Sequence, residues 1–276
     1  MKTMLSFKFS GAIFISILLL LITIPAISFN ATVNDVEFAR HFLDSSSAPK
    51  TPLNKQATQF VKKYLKDNDE CLDAIKEKHA STFNMMDEVF NKFGLPVELK
   101  YLAVVESELN PKAVSRVGAA GPWQFMPATA RELGLKITRK YDERKNFKKS
   151  TNAAALYLRD LHRQYGDWLL VLAAYNCGPV PVNAAIRKSG TRSFWKLQYF
   201  LPAETRGHVK KYIATHYYFE GDGSVTTLTK AEIVKYTKAI ELWAAAQERK
   251  SDSLQILTAD NISMSDTSGK KTMVPN

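Results

Sequence analysis

The chain has 276 residues, 45% of them hydrophobic, and a formal net charge of +11. That length suits one sizeable domain with appendages, and the composition excludes wholesale disorder. The charge calls for an anionic partner, and nucleic acid is the first class to weigh.

The N-terminus argues against nucleic acid. Lys2 and Lys8 precede the apolar run GAIFISILLLLITIPAIS, which Pro25 interrupts near its end, with Ala26 and Ser28 as small residues of the kind a signal peptidase reads. This pattern predicts a secretory signal over residues 1–28, cut near Ser28, in preference to a retained anchor, for which the run is short. No cysteine follows closely, so lipid attachment is not expected. An exported basic chain meets the polyanions of the cell envelope, which makes periplasm or envelope the expected location.

Residues 29–79 read as a lead-in that begins polar, around DSSSAPKTP, and becomes helical. Phe60, Val61, Tyr64, Leu65, Leu72 and Ile75 fall near helical spacing between lysines and acids. FNMMDEVFNKFG is a short amphipathic helix stopped by Gly94, and Pro96 suits the first turn of VELKYLAVVES. Ser150 or Thr151 can cap NAAALYLRDLHRQYG, and WLLVLAAYN is apolar enough to be core. Two further helices end at Gly190 and Gly221, and Thr229 with Glu232 forms a capping box for the next. Residues 251–276 read as a loose polar tail. No run of alternating β-branched residues occurs, so the fold class expected is all-α.

Cys71 and Cys177 are too few and too far apart to make a scaffold, and a bridge or two thiols stay open. No zinc spacing, phosphate-binding glycine loop or calcium loop is present, so no metal and no cofactor are expected.

The stretch ESELNPKAVSRVGAAGPWQFMP carries the chemistry. LAVV makes the last turn before Glu106 apolar, so its carboxylate is desolvated and faces the negative end of a helix. Both effects favour the protonated acid, the form that cleaves a glycosidic bond by general-acid catalysis. A lone glutamate at a helix end is usually just a surface residue; its neighbours change the reading. Glu106-Ser107 with Asn110-Pro111, GPWQFMP (Gly121 to Pro127) and AYNCGP (Ala174 to Pro179) resemble, in order and spacing, the motifs of the soluble lytic transglycosylase-like enzymes, especially the membrane-bound transglycosylase D branch. The resemblance covers roughly residues 80 to 220.

It implies a lysozyme-like (goose-type) helical domain over 80–222 with a substrate cleft, followed by a C-terminal helix and tail over 223–276. It implies peptidoglycan glycan strands as the partner of a monomeric enzyme. Glu106 is then the acid and base, Ser107 supports the helix end, and Ser115 contacts an N-acetyl group. Gln124, Met126 and Tyr175 line the cleft, Asn176 positions a loop, and Tyr175 also holds Glu106 by a hydrogen bond. Trp123 and Phe125 read as plain core, Asp142-Glu143-Arg144 as a structural turn or helix-entry motif, and His162 and His216 as surface or core positions. Two positions depart from the family pattern. Pro122 stands where an aliphatic residue is usual, and His208 where many members carry a tyrosine beside the catalytic glutamate. An imidazole can donate one hydrogen bond there but is shorter and can change charge. No wall-binding LysM repeat is apparent.

Two other functions compete. A lysozyme-type hydrolase needs a second carboxylate across the sugar; Glu108 should point away on the helix, and Glu204 fits a structural role better. A non-catalytic peptidoglycan-binding protein would be expected to lose Glu106 or Gln124, and both are present.

Overall fold

The computed structural model describes residues 49–51 and 53–267, with side chains as far as Lys250. The predicted signal lies outside the described residues. These contain ten α-helices: α1 (Lys55–Lys78), α2 (Ala80–Lys92), α3 (Tyr101–Ser107), α4 (Pro127–Glu132), α5 (Phe147–Tyr165), α6 (Trp168–Cys177), α7 (Pro179–Ser189), α8 (Phe194–Leu197), α9 (Ala203–Glu220) and α10 (Lys230–Thr267). No strand occurs among them; three isolated bridges, Val114 to Ala120, Ala120 to Phe125 and Ile137 to Asp142, tie loops together.

The centre of the fold is α6. Its residues Trp168 to Ala174 are all buried, and α5, α7 and α9 pack around it. Each fully buried leucine there contributes about 2 kcal/mol by leaving water. Asp167 starts the helix by accepting from Leu169 N and Leu170 N, and also from Lys230 N at the head of α10. In turn α9 lies against α1 and α3, while α2 packs on α5. The catalytic candidate on α3 is thereby held between α9 and the core.

Several helix ends differ from the sequence reading. Asn146, not Ser150 or Thr151, caps α5, accepting from Lys149 N at 2.9 Å. Ser150 and Thr151 are buried inside the helix, where Ser150 bonds the Asn146 carbonyl and Thr151 accepts from Trp123 Nε1. Pro96 precedes a 3-10 turn, Val97–Lys100, before α3 begins. Helix α10 runs on to Thr267 in place of a loose tail from 251. No glycine or proline interrupts that stretch before Gly269, and Leu254, Ile256, Leu257 and Ile262 continue an apolar pattern.

Thr229 and Glu232 do form the reciprocal cap, with Thr229 N to Glu232 Oε2 at 2.8 Å and Glu232 N to Thr229 Oγ1 at 3.3 Å. Glu232 also accepts from Asn54 at the head of α1 and from Trp195 on α8.

His216 is fully buried on α9, its Nε2 2.9 Å from Ser224 Oγ, among the rings of Tyr101, Tyr212 and Tyr217. Burial pushes its pKa down from 6.5 to about 4, against the opposing charges of Glu220 and Asp222. The folded state thus binds fewer protons than the unfolded chain between those values. The stabilisation is complete above 6.5 and is lost as pH falls toward about 4, for a total of about 3 kcal/mol. Urea midpoints measured near pH 7 and near pH 4 are expected to diverge less for His216→Gln than for the parent. An equal drop in both would remove His216 from the acid sensitivity of the fold.

Candidate active site

Helix α3 ends abruptly. Glu108 and Leu109 both adopt left-handed conformations, at φ 55° and 59°, although neither is glycine. Such residues persist only where the surroundings over-determine them. Leu109 is fully buried and holds the turn down, while the cap N–H of Glu108 returns to Val104 O. This stop leaves Glu106 in the last turn, its side chain 14% exposed. Glu108 is exposed on the other side, where its charge acts on Cys71 of α1. Cys71 and Cys177 are both free.

The chain then folds back over Glu106. Ser107 Oγ donates to Pro122 O at 2.9 Å, fastening the helix end to the returning loop. Within that loop Ser115 N donates to Ala119 O, and Ser115 Oγ accepts from Ala119 N at 3.0 Å. Gln124, left-handed at φ 46°, donates through Nε2 to Gly121 O at 2.9 Å. Pro127 occupies the first turn of α4, with Met126 exposed just before it.

These turns enclose a cleft of about 320 Å³ that brings together Glu106, Ser115, Gln124, Met126, Tyr175 and Asn176. Ser107 does not line it. Trp123 is core, with no exposed surface, and Phe125 is buried yet also reaches the cleft wall. Asn176 accepts from Thr205 Oγ1 at 2.8 Å, which joins α6 to α9 beside the cleft.

Tyr175 does not hold Glu106. Its hydroxyl donates to Trp123 O at 2.7 Å, a carbonyl in the returning loop, and its ring leans on Phe125 and Tyr157. Burial, and then the charge of Glu106, push the phenol well above its ordinary range, so it stays a donor.

The partner of Glu106 is His208, whose Nε2 lies 2.9 Å from Oε1 across 102 positions of sequence. His208 is 8% exposed, and its Nδ1 is buried with no hydrogen-bond partner. A bare lone pair is tolerated at such a nitrogen more readily than an orphaned N–H. The proton therefore belongs on Nε2, which donates to Oε1. Oε1 is committed as an acceptor, and Oε2 takes no part in that bond.

Five cleft residues, Ala119 among them, escape sequence reasoning. Tyr157 sits in an alanine-rich helix where its spacing signals only core, and Thr129 and Val117 carry no signal. Glu204, read as structural, is instead exposed in the first turn of α9 and lines the cleft. Neither its alanine nor its threonine neighbour points to that placement. His162 stacks on Trp168 at 4.1 Å, away from the cleft. Among the described residues no group of three or more His, Cys, Asp or Glu side chains is placed to hold a metal ion.

The transglycosylase SLT domain family matches residues 84–198. Membrane-bound lytic murein transglycosylase D of Escherichia coli is 38% identical over 168 residues, covering 59% of this chain and 36% of that protein. Soluble lytic murein transglycosylase of Salmonella typhimurium is 29% identical over 161 residues, covering 53% of this chain and 24% of its own length. The chain thus spans about a third or less of these relatives. A solved complex of the 70-kDa soluble lytic transglycosylase with bulgecin A shares the fold, with a TM-score of 0.50 at 22% identity over 66% of this chain and 33% of that one. Residues 84–198, which carry the motif blocks gathered around one cleft, thus match the transglycosylase SLT domain family.

Proposed function

We propose that this protein is a peptidoglycan lytic transglycosylase that cleaves the β-1,4 bond between N-acetylmuramic acid and N-acetylglucosamine and leaves 1,6-anhydromuramic acid ends. The observation that carries this reading is Glu106 on the wall of a cleft, fixed through Oε1 by His208. In the first step Oε2–H protonates the linking oxygen, the bond from the muramyl C1 to that oxygen breaks, and N-acetylglucosamine leaves with its hydroxyl restored. The muramyl acetamido oxygen stabilises the cation at C1, and Ser115 and Gln124, which line the same cleft, orient it. The Glu106 carboxylate, held by the His208 N–H, then takes the proton of the muramyl 6-hydroxyl as O6 closes on C1. The acid is regenerated and no water is consumed. The substrate places this activity in the cell envelope, and the predicted export signal agrees with that location.

Glu204 favours one competing reading. A second carboxylate in the same cleft is what a hydrolase would use to activate water or to form a covalent intermediate. Digestion of purified sacculi in heavy-oxygen water separates the two. Transglycosylation leaves the new muramyl ends unlabelled and one water lighter than hydrolysis products by mass spectrometry. Heavy oxygen in most of those ends would make the protein a lysozyme-type hydrolase.

A further inference from the structure

The basic charge of the chain is concentrated on one lobe. Residues 136–149 hold seven Lys/Arg against two Asp/Glu, a net of +5 out of +11 for the whole chain. The lobe is a small hairpin: Ile137 bridges to Asp142, Thr138 N donates to Tyr141 O at 2.7 Å, and Tyr141 N donates to Thr138 Oγ1 at 2.9 Å. That turn leaves Arg139 and Lys140 exposed at its tip.

Both acids of the lobe are already engaged within it. Asp142 accepts from Arg144 Nε at 3.0 Å and Nη2 at 2.7 Å, which holds its carboxyl below the usual range. Glu143 is held low in the same way by Lys149, and it accepts from Lys136 N at 2.7 Å. Arg139, Lys140 and Lys148 are exposed and have no acidic partner among the described residues.

The lobe is also fastened to the cleft. Arg144, 7% exposed, donates through Nη1 to Gly118 O at 2.7 Å and Phe125 O at 2.9 Å, both in the loop that covers Glu106. Helix α4 links the two regions. Met126 and Thr129 line the cleft at its start, while Leu133 and Leu135 adjoin Glu143 and Lys149 past its end. Six residues of helix span about 9 Å, so a polymer seated in the cleft passes close to the lobe.

We propose that the 136–149 lobe is an anion-recognition surface that binds carboxylates of the acidic peptides carried by the glycan strand in the cleft. This rests on the reading of the cleft as a peptidoglycan site. A glycan of N-acetylated sugars gives the cleft little charge to attract, whereas its peptide branches carry carboxylates outward from the strand. Exposed lysines and arginine at a rigid turn suit such groups, adding attraction and encounter rate more than tight pairing. A membrane-surface segment joins basic residues to a broad apolar face. Among the described residues this lobe exposes one large apolar side chain, Tyr141, over which Lys149 Nζ sits at 5.5 Å.

The test uses the chain carrying Glu106→Gln to block turnover, with and without the combined changes Arg139→Glu, Lys140→Glu and Lys148→Glu. Three probes are compared by co-sedimentation: intact sacculi, sacculi stripped of peptides by an amidase, and vesicles containing phosphatidylglycerol. The charge reversals are expected to weaken binding to intact sacculi about tenfold and to leave binding to stripped sacculi unchanged. Equal binding of both proteins to intact sacculi, or the same loss on stripped sacculi, overturns the proposal. A loss confined to vesicles also overturns it and assigns the lobe to a membrane surface. If the reversed variant fails to fold, glutamine at the same three positions is read the same way with a smaller factor. Binding is measured without turnover, so the catalytic reading fails separately, on labelled muramyl ends.

Discussion

Glu106→Gln is expected to lower muropeptide release from sacculi about 10³-fold or more while leaving the fold and strand binding intact. A factor of that size corresponds to about 4 kcal/mol of lost transition-state stabilisation. The geometry explains why the loss should be chemical and not structural. Oε1 of Glu106 only accepts, from His208 Nε2 at 2.9 Å, and the amide oxygen of glutamine can accept the same bond. The side chain is largely enclosed, and the replacement has the same shape, so neither a cavity nor a new clash arises. What disappears is the exchangeable proton on the second oxygen, needed first as acid and then as base. Release rates, sedimentation with sacculi and a denaturation midpoint would be measured together. Activity within tenfold of the parent would remove Glu106 as the acid, whereas loss accompanied by a lower midpoint would point to structural damage.

Much of this site is legible in the sequence, because three blocks each carry local signals. The apolar turn before Glu106, the glycine-proline turn at 121–122 and the Tyr-Asn end of α6 converge on one cleft. The hydrogen-bond partners are legible only in part, since they depend on how α9 lies against α3. The family resemblance has Tyr175 gripping Glu106, yet the returning loop places the Trp123 carbonyl within its reach first. His208 stands out in the sequence only as a departure from a family pattern, and its bond to Glu106 comes from packing. Tyr157 and Glu204 show the converse. Helical spacing alone cannot separate a residue facing the core from one facing a cleft cut into that core. The same limit applies to α5, where Asn146 competes as a cap with Ser150 and Thr151, and the tertiary partner of Thr151, the Trp123 indole, decides the register.

The loop over Glu106 owes its shape to one glycine, and replacing that residue should have a large effect on stability. Gly121 has φ +80°, and a Cβ there would lie 1.9 Å from the Arg144 carbonyl oxygen and 2.6 Å from its carbon. Both atoms are backbone, in a segment fixed by the Asp142 to Arg144 pair, so neither can yield cheaply. Gly121 also anchors the loop through its own backbone. Its N–H donates to Ala113 O at 2.9 Å, and its carbonyl accepts from both Gln124 N and Gln124 Nε2. Displacing it therefore shifts Gln124 in the cleft and loosens the two carbonyls that Arg144 holds. Gly121→Ala is expected to cost about 3–5 kcal/mol, combining positive-φ strain with a backbone clash. Gly118→Ala is the control. That glycine has φ +87°, and a methyl group on its Cα would meet nothing within 4 Å, so it should show only the strain of a left-handed residue, about 1 kcal/mol. Urea midpoints of the two variants measure the difference directly. Gly121→Ala should also lose activity although Glu106 and His208 are untouched. If the two variants prove equally mild, Arg144 does not pack against this turn, and its role in holding the cleft loop and the basic lobe together falls with it.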